Sequence, residues 1–80
     1  MPQFRSCQFI DRKFSRLILR VRKELKMSQK EIADHLGLSY QQYQKYESAK
    51  NRVSIGRAHQ MAEAFGISLA DLMAMLESFR

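Results

Sequence analysis

Four side chains packed into residues 40–45, Tyr40, Gln41, Gln44 and Lys45, carry the most distinctive chemistry of this chain. A glutamine carboxamide donates and accepts together, so it bonds an adenine edge in two places. A lysine suits the acceptor edge of guanine, and a tyrosine offers a hydroxyl plus apolar contact with a thymine methyl. No Asp or Glu stands between Tyr40 and Tyr46, and Lys50 follows closely. Such a set fits the base edges of a DNA duplex, which are polar, planar and wrapped in phosphate charge.

Those side chains need a short rigid platform, and the residues around them supply one. Ser28 can cap a helix whose third residue is Glu31, the capping-box spacing that satisfies amides left free at a helix start. Ile32, Ala33 and Leu36 then share one apolar face. Gly37 ends that helix, since glycine enters the left-handed region at least cost. Ser39 caps the next helix two residues on, a link too short for anything but a tight helix-turn-helix over 28–49. Within the second of these helices, 39–49, Tyr43 and Tyr46 lie one turn apart and turn inward, leaving Tyr40, Gln41, Gln44 and Lys45 outward.

The rest of the chain reads as helices that could hold this pair. Phe14, Leu17, Ile18, Val21 and Leu25 recur at helical spacing, predicting a first helix from about Asp11 to Lys26, with Arg12, Arg16, Arg20 and Lys23 on its other face. Ser54 caps a fourth helix through Ile55, Ala58, Met61, Ala62 and Phe65 to Gly66. Ser68 caps a fifth, whose stripe of Leu69, Leu72, Met73 and Leu76 is extended sideways by Met75 and Phe79. The three glycines are all expected where helices stop. No alternating strand pattern occurs, so the expected class is all-α, a compact bundle of five helices in one domain over 11–80, preceded by an amino-terminal arm, 1–10.

Composition narrows the function classes. Eighty residues with 45% apolar content allow a modest single core. One cysteine, Cys7, leaves no internal disulfide and no Cys-rich zinc site. No apolar run has membrane-span length, and the charged amino terminus does not read as a signal peptide, so a cytoplasmic protein is expected. Residues 1–57 hold thirteen Lys and Arg against five Asp and Glu, whereas residues 58–80 hold one against three. The basic part is the part with the hinge, and cations meeting phosphate release counterions and so give affinity without sequence information. A glycine-rich phosphate loop, a nucleophile with its base, and paired carboxylates at working spacing are all lacking, which argues against an enzyme. His35 and His59 stand alone on separate helices, so no metal is expected, nor any cofactor or small-molecule ligand.

With these residues laid out, the stretch from about Phe14 to Met73 resembles the Cro and phage-repressor type of helix-turn-helix domain, also called the xenobiotic-response-element type. Arg22 followed by Met27-Ser28-Gln29, then Ile32-Ala33, Leu36-Gly37, Leu38-Ser39, Tyr46-Glu47 and the run from Ala62 to Leu72, stand where that family places its framework residues. The resemblance implies a lambda-repressor-like five-helix bundle and a transcriptional regulator, bound as a two-fold homodimer to a roughly palindromic operator. Helix 39–49 would lie in the major groove with Tyr40, Gln41 and Lys45 at the base-contacting positions, and Gln44 beside them. Gln29 matches a phosphate contact at a helix start. Lys50, Asn51, Arg52 and Arg57 would hold the DNA backbone, positioning the domain without specifying sequence. Arg22 and Glu47 would form a structural ion pair, and Gln42 and Tyr43 would be the less exposed residues of the helix.

Two departures from the family pattern raise expectations of their own. Ala49 stands where glycine is common, so the third helix is expected to run on. Lys26 replaces the glycine usual between the first two helices, so that turn is expected to differ. The arm, with Phe4, Phe9 and Ile10, falls outside the resemblance and is expected either to cap the core or to join a dimer. Met75, Leu76 and Phe79 exceed what one face can bury and are the candidate dimer surface. A repressor of a phage or mobile element, an antitoxin, a restriction-modification controller and a stress regulator all fit. The alternative class is a protein-interaction module, or an antitoxin-type partner-binding protein, on the same helical scaffold.

Overall fold

A computed structural model describes residues 9–79, which form five helices and no strand: α1 (Phe9–Glu24), α2 (Gln29–Leu36), α3 (Tyr40–Glu47), α4 (Ile55–Phe65) and α5 (Leu69–Ser78). Cys7 and Phe4 lie outside the described residues. The all-α class and the helix order are as expected from the sequence, and the differences are local.

The first helix is displaced by two residues at each end. Phe9 and Ile10, assigned to the arm, belong to its first turn, because Ile10 stands one turn before Phe14 and continues the same apolar edge. At the other end the helix stops at Glu24 instead of reaching Lys26. Lys26 takes a left-handed conformation, φ 58°, so that the Lys26 amide donates to the Lys23 carbonyl at 3.0 Å and the Met27 amide to the Arg22 carbonyl at 3.0 Å. This is the helix end that glycine normally makes, and the expected change of turn is not found. Leu25 is carried off the stripe and is 47% exposed.

Both helices of the hinge begin with reciprocal caps. The Glu31 amide donates to Ser28 Oγ at 3.0 Å and the Ser28 amide to Glu31 Oε1 at 2.8 Å. At α3 the Gln42 amide donates to Ser39 Oγ at 3.2 Å and the Ser39 amide to Gln42 Oε1 at 3.0 Å. Gln42 is therefore exposed rather than sheltered, since its side chain folds back over the helix start. Gly37, φ 71°, closes α2 as expected. The third helix ends at Glu47, short of the 39–49 predicted. Ala49 turns left-handed at φ 60°, and the amides of Lys50 and Asn51 both donate to the Lys45 carbonyl, at 2.9 and 3.1 Å. The turn thus forms without glycine, because two amides share one carbonyl that the helix end would otherwise leave open.

Glycines do not all end helices. Gly66, φ 78°, ends α4, but Gly56 is the second residue of that helix, since Ser54 caps just before it with the Arg57 amide donating to Ser54 Oγ at 3.1 Å. Ile55, assigned to the core stripe, leads the helix and is 67% exposed. The core gathers Phe14, Leu17, Ile18 and Val21 of α1, Ile32, Ala33 and Leu36 of α2, Tyr43 of α3, Ala58, Met61, Ala62 and Phe65 of α4, and Leu72 of α5. Helix α2 packs on both α3 and α4, while α1 packs against α3 and α5.

Candidate nucleic-acid interface

Helix α3 is held to the bundle from beneath and from one end. Tyr43 is fully buried and Tyr46 half-buried, so the inward side of this eight-residue helix is aromatic. Its carboxyl end is pinned by charge. Arg22, on α1, presents its planar fork to Glu47, with Nε donating to Oε2 at 2.6 Å and Nη2 to Oε1 at 3.1 Å, while Nη1 donates to the Met27 carbonyl at 2.8 Å. The pair is nearly sheltered from solvent, with side-chain exposures of 10% and 4%, and two parallel bonds make it geometrically specific.

Burial alone would raise the Glu47 carboxyl, but the hydrogen bonds from Arg22 and Gln29 outweigh it and hold the group below its ordinary value. The hydrogen bond to Glu47 raises the Arg22 guanidinium against the opposing effect of burial. Burial pushes the phenol of Tyr43 far up. Its hydroxyl lies beside the pair, buried and without hydrogen-bonding geometry to any partner among the described residues.

On the outer side of α3, Gln41, Gln44 and Lys45 line one shallow concavity with Ser48 and Lys50. Three of the residues singled out as readers are thus brought together with one of the cations assigned to phosphate, and Ser48 is an addition that its place in a helix cap concealed. Tyr40 stands at the amino end of the same helix, 48% exposed. The side chains of Tyr40, Gln41 and Lys45 make no hydrogen bond or ion pair to other described residues, so they are free to meet a ligand.

The remaining sequence candidates are more occupied than their types suggested. Gln29 is half-buried, donating from Nε2 to Glu47 Oε1 at 3.0 Å and accepting at Oε1 from Gln44 Nε2 at 3.5 Å. Asn51 is exposed, but Arg52 reaches back to Asp11 on α1, Nε to Oδ2 3.3 Å. Arg57 donates from Nη1 to the Leu36 carbonyl at 3.1 Å and to Gln60 Oε1 at 2.9 Å, closing the end of α2. Sequence reasoning had no signal for these ties, because most join residues far apart in the chain through side chains whose reach depends on the crossing of helices.

The apolar candidates form a second region. Met75, Leu76 and Phe79 are half-buried against the core, and the Phe79 ring lies 5.8 Å from the Arg20 guanidinium carbon. More open are Phe9, 69% exposed, with Ile10 and Ile55. A cleft between the start of α1, the start of α4 and α5 is lined by Ile10, Phe14, Val53, Ile55, Met73 and Leu76 among others. No group of three His, Cys, Asp or Glu among the described residues is placed to hold a metal ion. Among the same residues no helix is long and apolar enough to cross a membrane.

A helix-turn-helix family model matches residues 18–72, from the middle of α1 to α5. The chain belongs to the helix-turn-helix family of the Cro and phage-repressor type. It is 30% identical over 73 residues to an uncharacterised transcriptional regulator in the ATPase CF(0) region of Rhodospirillum rubrum, covering 91% of this chain and 68% of that protein. An uncharacterised helix-turn-helix-type transcriptional regulator of Sinorhizobium fredii is 36% identical over 58 residues, covering 72% of this chain and 41% of that protein. Solved structures that share the fold include the following two. A wild-type restriction-modification controller protein superposes with a TM-score of 0.80 at 21% identity, over 89% of this chain and 91% of the other. The clp gene regulator ClgR from C. glutamicum gives 0.79 at 17% identity, over 89% and 92%. Membership in this family makes the chain a DNA-binding transcriptional regulator and not an enzyme.

Proposed function

We propose that this helix-turn-helix protein is a repressor that reads the major groove of a specific operator with α3, as a homodimer. The observation that carries the reading is the concavity of Gln41, Gln44, Lys45, Ser48 and Lys50. It is a polar, partly cationic surface with no carboxylate, on a helix whose back is fixed by a buried aromatic and a buried ion pair. Its hydrogen-bonding groups and cations suit base edges flanked by phosphates. Tyr40 is assigned to bases with Gln41, Gln44 and Lys45; Lys50 and Asn51 are assigned to phosphates, together with Arg52 and Arg57, whose contacts with Asp11 and with Leu36 and Gln60 each use one nitrogen of the guanidinium.

Selection from random duplexes, followed by binding titrations over a salt series, tests this reading. Gln41→Ala and Lys45→Ala should each cost about 1 to 3 kcal/mol on the selected site and relax choice at particular base pairs. Lys50→Ala should weaken all duplexes alike and reduce the salt slope by about one. A parent that binds every duplex equally at all salt concentrations defeats the proposal.

Assembly is assigned to the apolar region. One recognition helix per chain reaches specific affinity by pairing with a second about one helical turn away, so half-site centres about 10 bp apart are expected. Phe9 and Phe79 line one depression with Lys13 and Arg16, Phe79 lines a second with Met75, and Leu76 lines a cleft with Ile10 and Ile55, so Phe79 and Leu76 adjoin the exposed apolar residues of α1 and Met75 joins them through Phe79. Sedimentation of the parent and of Phe79→Glu, free and on selected DNA, is the measurement: a parent that stays monomeric in both conditions overturns the dimer.

A further inference from the structure

Helix α1 is more basic than its packing requires. Six of its sixteen residues are Arg or Lys, and of these only Arg22 is spent inside the bundle. Arg12, Arg16, Arg20 and Lys23 recur at helical spacing and form one exposed stripe about 16 Å long. The two carboxylates of the helix leave that stripe cationic. Asp11 is held by Arg52, and Glu24 meets Arg20 at 3.4 Å in open solvent, where such a pair is weak. Lys13, Arg16 and Lys23 make no ion pair with other described residues. Beside the stripe lies a feature that solubility does not call for. Exposed Phe9 and the Phe79 ring flank a depression completed by Lys13 and Arg16, and the Arg20 guanidinium stands over the same Phe79 ring.

We infer that this face of α1, with Phe79, is a docking site for an acidic segment of a partner protein, which sets carboxylates along Arg16, Arg20 and Lys23 and seats one apolar side chain between Phe9 and Phe79. The combination of charge and concave apolar surface selects the occupant. A phosphate backbone would satisfy the cations, but a duplex keeps its apolar surface inside the base stack and has nothing to place between two rings. A lipid surface is entered by apolar side chains that stand out from a helix, whereas this apolar surface is a hollow. A second copy paired isologously over the depression would set Lys13 and Arg16 against their own kind, which leaves the pairing of copies to the cleft of Leu76, Ile10 and Ile55. An acidic segment meets both requirements: guanidinium forks take carboxylates in two parallel bonds, and an apolar anchor ringed by opposite charges supplies affinity and register together. The face shares no residue with the α3 concavity, so the docking site does not depend on the assignment of α3 to DNA.

Fluorescence anisotropy with the full chain tests this, using a short labelled peptide of glutamates interrupted by one phenylalanine and a matched peptide with serine in place of that phenylalanine. The first should bind about tenfold more tightly than the second. Phe9→Ser should abolish that difference, and Arg16→Glu should weaken both peptides by about tenfold. Both residues are exposed, so each variant should keep the thermal melt of the parent. Reversing a cation on α3 instead, Lys45→Glu, should change peptide binding by about twofold at most, which is the effect of net charge alone. Vesicles of phosphatidylcholine with phosphatidylglycerol, and a duplex of random sequence, measure the other two occupants.

Equal affinity for the two peptides overturns the docking site. So does a loss at Lys45→Glu as large as at Arg16→Glu, or a preference between peptides that survives Phe9→Ser. Binding of the vesicles or of the duplex that falls with Phe9→Ser by more than peptide binding does gives the face to a membrane or to DNA, and overturns the acidic partner.

Discussion

The two sides of this bundle solve opposite problems. Around α2 and α3 almost every polar group that faces the protein is engaged: reciprocal caps at Ser28 and Ser39, the fork of Arg22 on Glu47, the bridge through Gln29, and Arg57 on the end of α2. On the outward side of α3, Tyr40, Gln41 and Lys45 are left uncommitted to other described residues. Around the starts of α1 and α4 the pattern is reversed, with Phe9, Ile10 and Ile55 exposed beside half-buried Leu76 and Phe79. Order comes on the first side from hydrogen bonds with defined geometry, which suits a surface that must present side chains in register. The second side leaves apolar area uncovered, which suits burial against another protein surface.

The largest effect expected from breaking this contrast is at Arg22. Arg22→Met leaves Glu47 buried without its partner and should cost about 3 to 5 kcal/mol in a urea melt. The same pair gives a pH signature. Because the folded Glu47 carboxyl is held below its ordinary value, the stability it supplies is complete above the unfolded value of about 4.3 and is lost as pH falls through the lower folded value. Unfolding free energy measured from neutral to acid pH should therefore fall more steeply below that range for the parent than for Glu47→Gln. Parallel curves would show that the pair does not control acid stability.

A smaller effect is expected at the end of α3. Ala49 holds φ 60°, a conformation that costs an alanine about 1 to 2 kcal/mol relative to its preferred states and that glycine adopts freely, against glycine's greater entropy when unfolded. Ala49→Gly should raise stability by about 1 kcal/mol or less, read as a higher melting temperature. A decrease would mean that the Ala49 methyl, on a half-buried residue, contributes more than the strain removes. The smallest expected change sharpens the comparison from the other side. Ile55→Gln replaces an exposed apolar residue and should alter monomer stability by no more than about 0.5 kcal/mol, while weakening any association read by sedimentation.

How much of this is legible in the chain follows from the range of each interaction. The caps at Ser28, Ser39, Ser54 and Ser68, the stops at Gly37 and Gly66 and the buried stripes depend on neighbours within about one helical turn, and the sequence displays them. Tyr43 and Tyr46 turn inward by the same reasoning. The differences arise where a local rule meets a competitor. Left-handed turns favour glycine, yet Lys26 and Ala49 make them because open carbonyls on the preceding helix accept the next amides. Ile55 fits an apolar spacing but leads its helix and stays open to solvent. The Gln29 bridge and the tie from Arg57 to Leu36 are invisible in the sequence because they span helices, and only the crossing of α2 with α3 and α4 brings them within reach.

The inner and outer residues of α3 answer to different masters. Tyr40, Gln41 and Lys45 have no side-chain bonds to the described framework, whereas the residues that fix the helix, Tyr43 and Glu47, take no part in its outer surface. On the proposed reading, addressing and folding are therefore written in separate letters of one eight-residue word. Random replacement at 40, 41 and 45 should yield libraries in which most members fold and differ chiefly in the duplex they prefer, so that new specificity is reachable by single steps through functional intermediates. Gln44, wired through Gln29 to the ion pair, is the letter that such drift would change last.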